Sequence, residues 1–215
     1  MIPEIVRQQM VQRQLRTWEV FNEDVLRVLG SVARERFVPA GFEEVACADT
    51  EIPLGHGQVM LRPAIEGRLL QALEIGAPDR VLEIGTGSGY LTSCIAALSA
   101  SVTSIDIHDD FIATAGKNLE AAGISNANLQ CMDAMQQLPE GRFDAIAVTG
   151  SVPEIDNRFV NALKPGGRLF LVVGKPPVMS ALLIVNTGDD LQTTSIFETS
   201  IPPLENTPED TAFSF

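Results

Sequence analysis

Between Val81 and Tyr90 the chain reads VLEIGTGSGY, a short apolar run that breaks into glycines at every second position. Glycine admits positive φ and puts no Cβ between the backbone and a ligand lying across a strand end. The run containing Glu83 reads as a buried strand, Gly85, Thr86, Gly87, Ser88 and Gly89 as a turn, and Leu91 to Leu98 as a helix. A helix beginning at Ser88 or Gly89 aims free N–H groups and its positive dipole end at the ligand. A small molecule carrying a carboxylate or phosphate is therefore expected there.

Spacing narrows the ligand. A dinucleotide fingerprint needs its third glycine at position 90, which is Tyr90, and no Gly-Lys-Ser/Thr follows to make a phosphate loop. Glu83 followed by three alternating glycines, after an apolar strand, resembles the first motif of the class I methyltransferases. That resemblance implies S-adenosyl-L-methionine as cofactor, with its methionine part on the glycine turn. In a doubly wound sheet, ligands sit at the carboxyl ends of the strands. Asp106, with Ile107 beside it, closes the second strand, where a carboxylate accepts from a ribose diol; the alternative is a helix cap or solvated turn. Asp133, with Ala134, follows the third strand, where it can accept from an adenine amino group or stand exposed in a turn. Thr149 ends the fourth strand, on the floor beneath a reactive methyl group.

The elements that must position these residues alternate. A polar, moderately amphipathic helix over residues 5–18 is followed by a second, Glu23 to Leu29, capped by Asn22. Pro39, Gly41, Pro53, Gly55 and Gly57 then keep regular elements short. Pro63 opens a helix through Ile75, ended by Gly76 and Pro78. After the glycine turn come strands at Val102–Asp106, Asn128–Cys131, Phe143–Val148 and Arg168–Val173. Helices over Phe111–Ala122 and Phe159–Leu163 lie between them, the second closed by Lys164-Pro165-Gly166-Gly167. Strand and helix in alternation predict a parallel sheet covered on both faces. Ala181–Val185 and Leu191–Glu198, joined by a turn-forming Asn186–Asp190, predict an antiparallel finish. The fold class is therefore α/β, a doubly wound, mostly parallel seven-stranded sheet with an antiparallel C-terminal hairpin and N-terminal helices. The tail after Ile201 reads as extended and suited to covering an edge.

Length and charge set limits. The 215 residues suit one domain, with 1–62 a helical and loop-rich extension on the substrate side and 63–215 the cofactor-binding core. A net charge of −13 argues against nucleic acid, which draws affinity from clustered Lys and Arg. It also means that a carboxylate substrate needs local help. No apolar run reaches the length of a membrane span and no signal-peptide centre is present, so a soluble, cytoplasmic protein is expected. Cys47, Cys94 and Cys131 read as buried free thiols. His56 and His108 read as too few and too far apart for a metal site.

Six motifs in order carry a narrower resemblance: Arg34-Glu-Arg-Phe-Val-Pro39, Ile52-Pro-Leu-Gly-His-Gly-Gln58, Pro63, the glycine turn, Phe143-Asp-Ala-Ile-Ala-Val-Thr149 and Leu163-Lys-Pro-Gly-Gly-Arg168. Together they resemble the protein-L-isoaspartate (D-aspartate) O-methyltransferase family. The resemblance implies methylation of the α-carboxylate of isoaspartyl residues in damaged proteins and peptides, as a step in repair. One stretch departs from it: Val59-Met60-Leu61 stands where the family has Thr-Ile-Ser, whose serine, regarded as the active-site residue, corresponds to Leu61. His56, which could meet the acceptor or brace its loop, and Gln58, which could shape the transfer pocket, are the remaining catalytic candidates. Arg62 could add positive charge or simply be exposed, and His108 reads as a surface residue near the ribose. Two other readings stand beside the first, a methyltransferase for a small or more apolar acceptor and a cofactor-binding protein without transfer.

Overall fold

The structure, a computed structural model, describes residues 4–208. Helix α1 (Glu4–Gln9) runs on into a π-helical turn over Met10–Leu15 that buries Met10, Val11 and Leu15, so the expected amphipathic helix changes winding midway. Helix α2 (Glu23–Ser31) is capped as its sequence predicts: Asn22 Oδ1 accepts from the N–H groups of Asp24 at 3.0 Å and Val25 at 3.2 Å. Inside the loop-rich stretch lies a hairpin that periodicity did not reveal, β1 (Ile52–Gly55) against β2 (Gln58–Met60). Helix α3 (Pro63–Leu73) begins at its proline but ends earlier than expected. Glu74 adopts the left-handed conformation that closes it, at φ 45°, so Gly76 is not the cap.

The remaining elements alternate as expected: β3 (Arg80–Ile84), α4 (Tyr90–Leu98), β4 (Ser101–Asp106), α5 (Asp109–Ala121), β5 (Ala127–Cys131), β6 (Phe143–Val152), α6 (Asn157–Asn161), β7 (Leu163–Lys175), β8 (Val178–Asn186) and β9 (Leu191–Thr199). The main sheet has the order β5-β4-β3-β6-β7-β8-β9. Pairing is parallel from β5 through β7 and antiparallel from β7 to β9. The chain moves outward from β3 to β5 and then returns to the other side of β3 at β6. That reversal opens a crevice at the carboxyl ends of β3 and β6, where a ligand is expected.

Strand β3 shows how the sheet divides the core. Val81 points into one cluster with Leu29, Phe37, Leu69 and Tyr90, while Leu82 and Ile84 point into the other with Ile105, Ile146 and Phe159. The first cluster also takes in Met10 and Leu15, so the N-terminal segment shares a core with the sheet.

Four expectations need correction. Lys164 to Gly167 do not simply terminate α6; they lie in β7, whose pairing starts at Phe143 with Leu163 and shifts register before Ala145 with Arg168. Cys131 is exposed, unlike Cys47 and Cys94, because it ends β5 on the edge of the sheet. Arg62 is partly buried, its guanidinium 6.0 Å from the Trp18 ring. Residues 201–204 do not cover an outer edge. Ser151 donates its N–H to Pro202 O and accepts from Leu204 N–H, each at 2.9 Å, which places the tail at the carboxyl end of β6.

Candidate active site

The crevice is a cleft of about 690 Å³, part of it open to solvent. Its walls include Gln58, Leu61, Gly85, Gly87, Asp106, Ile107, Asp133, Ala134 and Thr149, all expected from the sequence. A smaller recess of about 300 Å³ lies between the β1–β2 hairpin and the glycine turn. It is lined by Thr86 and Ser88 and shares Gly85, Gly87, Leu61 and Thr149 with the cleft.

The turn is built for close approach. Gly85, Gly87 and Gly89 have φ of 97°, 50° and 82°, values that strongly favour glycine. Thr149 Oγ1 donates towards the carbonyls of Ile84 and Gly85, both at 3.0 Å, binding β6 to the turn. Gly89 instead packs against Ala115 of α5 and serves as the N-cap of α4, outside both cavities.

Several backbone amides expected to receive an anion are engaged within the protein. Those of Gly85 and Thr86 donate to Ile105 O at 2.8 and 3.2 Å, Gly87 to Asp106 Oδ2 at 2.9 Å and Gly89 to Thr86 O at 2.9 Å. The turn therefore offers bare backbone surface more than an anion nest.

Glu83 does not line the cleft either. It is fully buried beneath the turn, where Oε2 accepts from Thr92 Oγ1 and, at 2.6 Å, from Ser104 Oγ. Ser104 is in turn 2.6 Å from Thr86 Oγ1, so the side chain braces the turn from below. Burial pushes its carboxyl up to about 8 against the pull of the two hydroxyls. Its Oε1 is buried without a hydrogen-bond partner, as a protonated or water-linked carboxyl can tolerate better than a carboxylate.

Asp106 sits at the end of β4 with one N–H on each oxygen, Gly87 on Oδ2 and, at 3.0 Å, His108 on Oδ1. Burial raises its pKa while these two donors oppose the shift. Each oxygen retains capacity to accept again. Asp133 caps the turn after β5, accepting from Met135 N–H at 2.8 Å on Oδ1 and from the amides of Gln136 at 2.8 Å and Asn206 at 2.9 Å on Oδ2.

Asn206 belongs to a stretch that sequence reading left out of the site. Pro202, Leu204 and Glu205 line the cleft, Glu205 lies 2.7 Å from His108 Nε2, and Gln58 Nε2 is 3.5 Å from Pro203 O. Leu54, Phe111, Met132 and Met135 add apolar wall. Leu54 lies in β1 and Phe111 in α5, while Met132 and Met135 lie in a loop, where apolar residues carry no periodic signal; only the tail's position after β9 hints that it could return to the strand ends.

His56 stands apart from both cavities. It occupies the hairpin turn at φ 53° between two glycines of positive φ, and its Nε2 is 3.0 Å from Asp110 Oδ2, which raises the imidazole pKa. Its ring stacks on His108 at 3.9 Å and 12°, with Phe111 edge-on. The fold thus brings together two histidines that looked separate, with single donor atoms of His56, His108 and Asp110 within 4.8 Å. In-plane lone pairs of stacked rings lie in parallel planes and do not converge on one ion, so the group reads as a brace between hairpin and α5.

Comparison with known proteins adds to this geometry. The model of the family described as protein-L-isoaspartate(D-aspartate) O-methyltransferase matches residues 6–199. A protein-L-isoaspartate O-methyltransferase of Methanoculleus marisnigri is 36% identical over 199 residues, covering 92% of this chain and 90% of that protein. One from Koribacter versatilis is 33% identical with the same coverage. Among solved structures, a protein-L-isoaspartate O-methyltransferase from Plasmodium falciparum, in complex with S-adenosyl-L-homocysteine, superposes with a TM-score of 0.79 at 21% identity, covering 93% of this chain and 98% of that one. A further solved protein-L-isoaspartate O-methyltransferase gives 0.80 at 22% identity, covering 92% and 65%. At these identities the structural likeness speaks for the fold.

Proposed function

This chain belongs to the protein-L-isoaspartate(D-aspartate) O-methyltransferase family, and we propose that it methylates isoaspartyl carboxylates of damaged proteins and peptides with S-adenosyl-L-methionine. The observation that carries the reading is one cleft in which a bare glycine turn, two strand-end carboxylates and the 59–61 loop meet. The residues present fit the cofactor. Gly85 and Gly87 give the cleft a wall of bare backbone, a Cβ on either running into Thr149 or Leu54, and Asp106 and Asp133 line the same cleft as the acceptors we assign to a diol and an exocyclic amine.

When bound, S-adenosyl-L-methionine supplies an electrophilic methyl group on a sulfonium sulfur. The acceptor is a carboxylate of pKa about 4, already ionised at neutral pH, so this chain has no proton to remove. What its residues must do is align the acceptor and keep water out. Leu54, Val59, Leu61 and Thr149 border both cavities and perform that task, while Gln58 reaches the cleft as a polar contact. His56, turned onto His108, acts as a brace.

The apolar Val59 and Leu61 favour a second reading on the same fold, a less polar acceptor. The experiment that separates the readings is methyl transfer to an isoaspartyl peptide beside its aspartyl counterpart, a panel of apolar small acceptors and a blank. We also propose one domain, with residues 1–62 on the acceptor side and 63–215 holding the cofactor, acting in repair in the cytoplasm and without nucleic-acid or membrane partners. Among the described residues no helix is long and apolar enough to cross a membrane.

A further inference from the structure

Arg34, in the short helical turn Arg34–Arg36, is wholly buried, and its hydrogen bonds reach three separate segments. Nε donates to Ala46 O at 2.8 Å, Nη1 to Glu66 in the first turn of α3, and Nη2 to the carbonyl of Leu61. The guanidinium carbon also lies 4.6 Å from the centroid of the Tyr90 ring. Tyr90 is the first residue of α4, directly after Gly89, and Phe37 packs edge-to-face with the same ring at 5.6 Å. One planar group therefore touches the N-terminal segment, the acceptor loop, α3 and the helix that follows the glycine turn.

A buried ion pair is weak evidence of a stabilising role, because apolar side chains of equal volume often serve as well. A flat apolar side chain cannot fix a carbonyl and a ring at set angles, whereas the guanidinium fork does. Leu61 lines both the cleft and the recess, and its backbone carries the loop that faces Gly85 and Thr149.

We propose that Arg34 is a positioning residue for methyl transfer: by holding the Leu61 carbonyl against Tyr90 it sets the spacing between acceptor loop and glycine turn. This rests on the methyltransferase reading above. Arg34 lines neither cavity, but its partners Leu61, Glu66 and Tyr90 all line the recess, and it acts through them. Glu66 is its counter-ion; burial pushes that carboxyl up to about 7 although Arg34 pulls it down.

Arg34→Lys keeps a charge beside Glu66 without the fork, and Arg34→Met keeps bulk without charge. Both are assayed for kcat and KM on an isoaspartyl peptide, for S-adenosyl-L-homocysteine affinity by calorimetry, and for amide hydrogen exchange over residues 58–62. The expected result is kcat lower by about tenfold or more, cofactor Kd changed by less than about threefold, and faster exchange over 58–62 but not in β4. A variant that only melts earlier, with kcat within about threefold of wild type, overturns the proposal. So does a parallel loss of cofactor affinity, which puts the fault at the glycine turn. Should Arg34→Met not fold, Arg34→Lys decides on the same readouts. A wild type without turnover on the peptide contradicts the proposed function instead, and unchanged exchange over 58–62 in Arg34→Lys then still overturns the positioning role.

Discussion

Thr149 Oγ1 of β6 stands 2.1 Å from the place a Cβ on Gly85, in the turn after β3, would take, so the two residues occupy one volume between them. Gly85→Ala must push the hydroxyl away from the carbonyls of Ile84 and Gly85 and also strain a backbone at φ 97°. A stability loss of about 1–3 kcal/mol is expected from the backbone alone. S-adenosyl-L-homocysteine binding is expected to weaken with it. Melting temperature and calorimetry on Gly85→Ala check both, and unchanged values for the pair would remove this contact from the site.

Asp106→Ala deletes the acceptor for two backbone N–H groups and the acceptor proposed for the ribose. Cofactor affinity is expected to fall by about 1.5–3 kcal/mol, the range for a hydrogen bond to a charged group. Calorimetry measures it; wild-type affinity in the variant would place Asp106 outside the ligand's reach.

Glu83 carries a pH dependence. Its folded-state pKa is raised from 4.5 to about 8, so the fold favours the protonated form. Its contribution to stability is complete below about 4.5, where the unfolded carboxyl is also protonated, and is lost as pH rises through about 8. The loss is on the order of a few kcal/mol, at about 1.4 kcal/mol per pKa unit. Glu83→Gln, neutral at every pH, is expected to melt with a flatter profile between pH 5 and 8. Parallel melting curves for wild type and variant over that range would contradict the assignment.

Leu61 is 5% exposed and borders the recess, in the place where the family resemblance puts a serine. Leu61→Ser adds a donor near the acceptor, and isoaspartyl methylation is expected to rise by about tenfold, the equivalent of one charged hydrogen bond. Cofactor affinity should stay near wild type. The opposing effect is the cavity left by the lost side chain, which costs stability. Equal rates in both proteins on one isoaspartyl peptide would show that the apolar loop is adapted to something else.

Most of the sheet was legible because its evidence is local. The apolar runs at Val81, Val102 and Phe143, the Asn22 cap and Pro63 at the start of α3 all announce themselves within a few residues. Asp106 and Asp133 were placed in the cleft by strand ends, whereas Thr149, expected to end its strand, lies inside β6, which runs on to Val152 across a shift in register between Ala147 and Ser151. What escaped depends on distant partners. Glu83 reads like a ligand contact until Thr92 and Ser104 are seen to hold it beneath the turn. The His56–His108 stack joins a hairpin to a strand end far along the chain, and Leu204 to Asn206 reach the cleft only because Ser151 anchors the tail. Glu74 took the left-handed cap that Gly76, two residues later, seemed chemically better suited to fill.

Methyl transfer to an isoaspartyl carboxylate is proposed in the cleft formed by the glycine turn, Asp106, Asp133 and the 59–61 loop. The most direct measurement is transfer of labelled methyl from S-adenosyl-L-methionine to an isoaspartyl peptide, with the aspartyl peptide of the same sequence as control. The expected result is base-labile label on the isoaspartyl peptide, saturable in peptide, and background on the control. Background on both peptides, from protein that binds S-adenosyl-L-homocysteine normally, would contradict the isoaspartyl assignment while leaving the cofactor site intact.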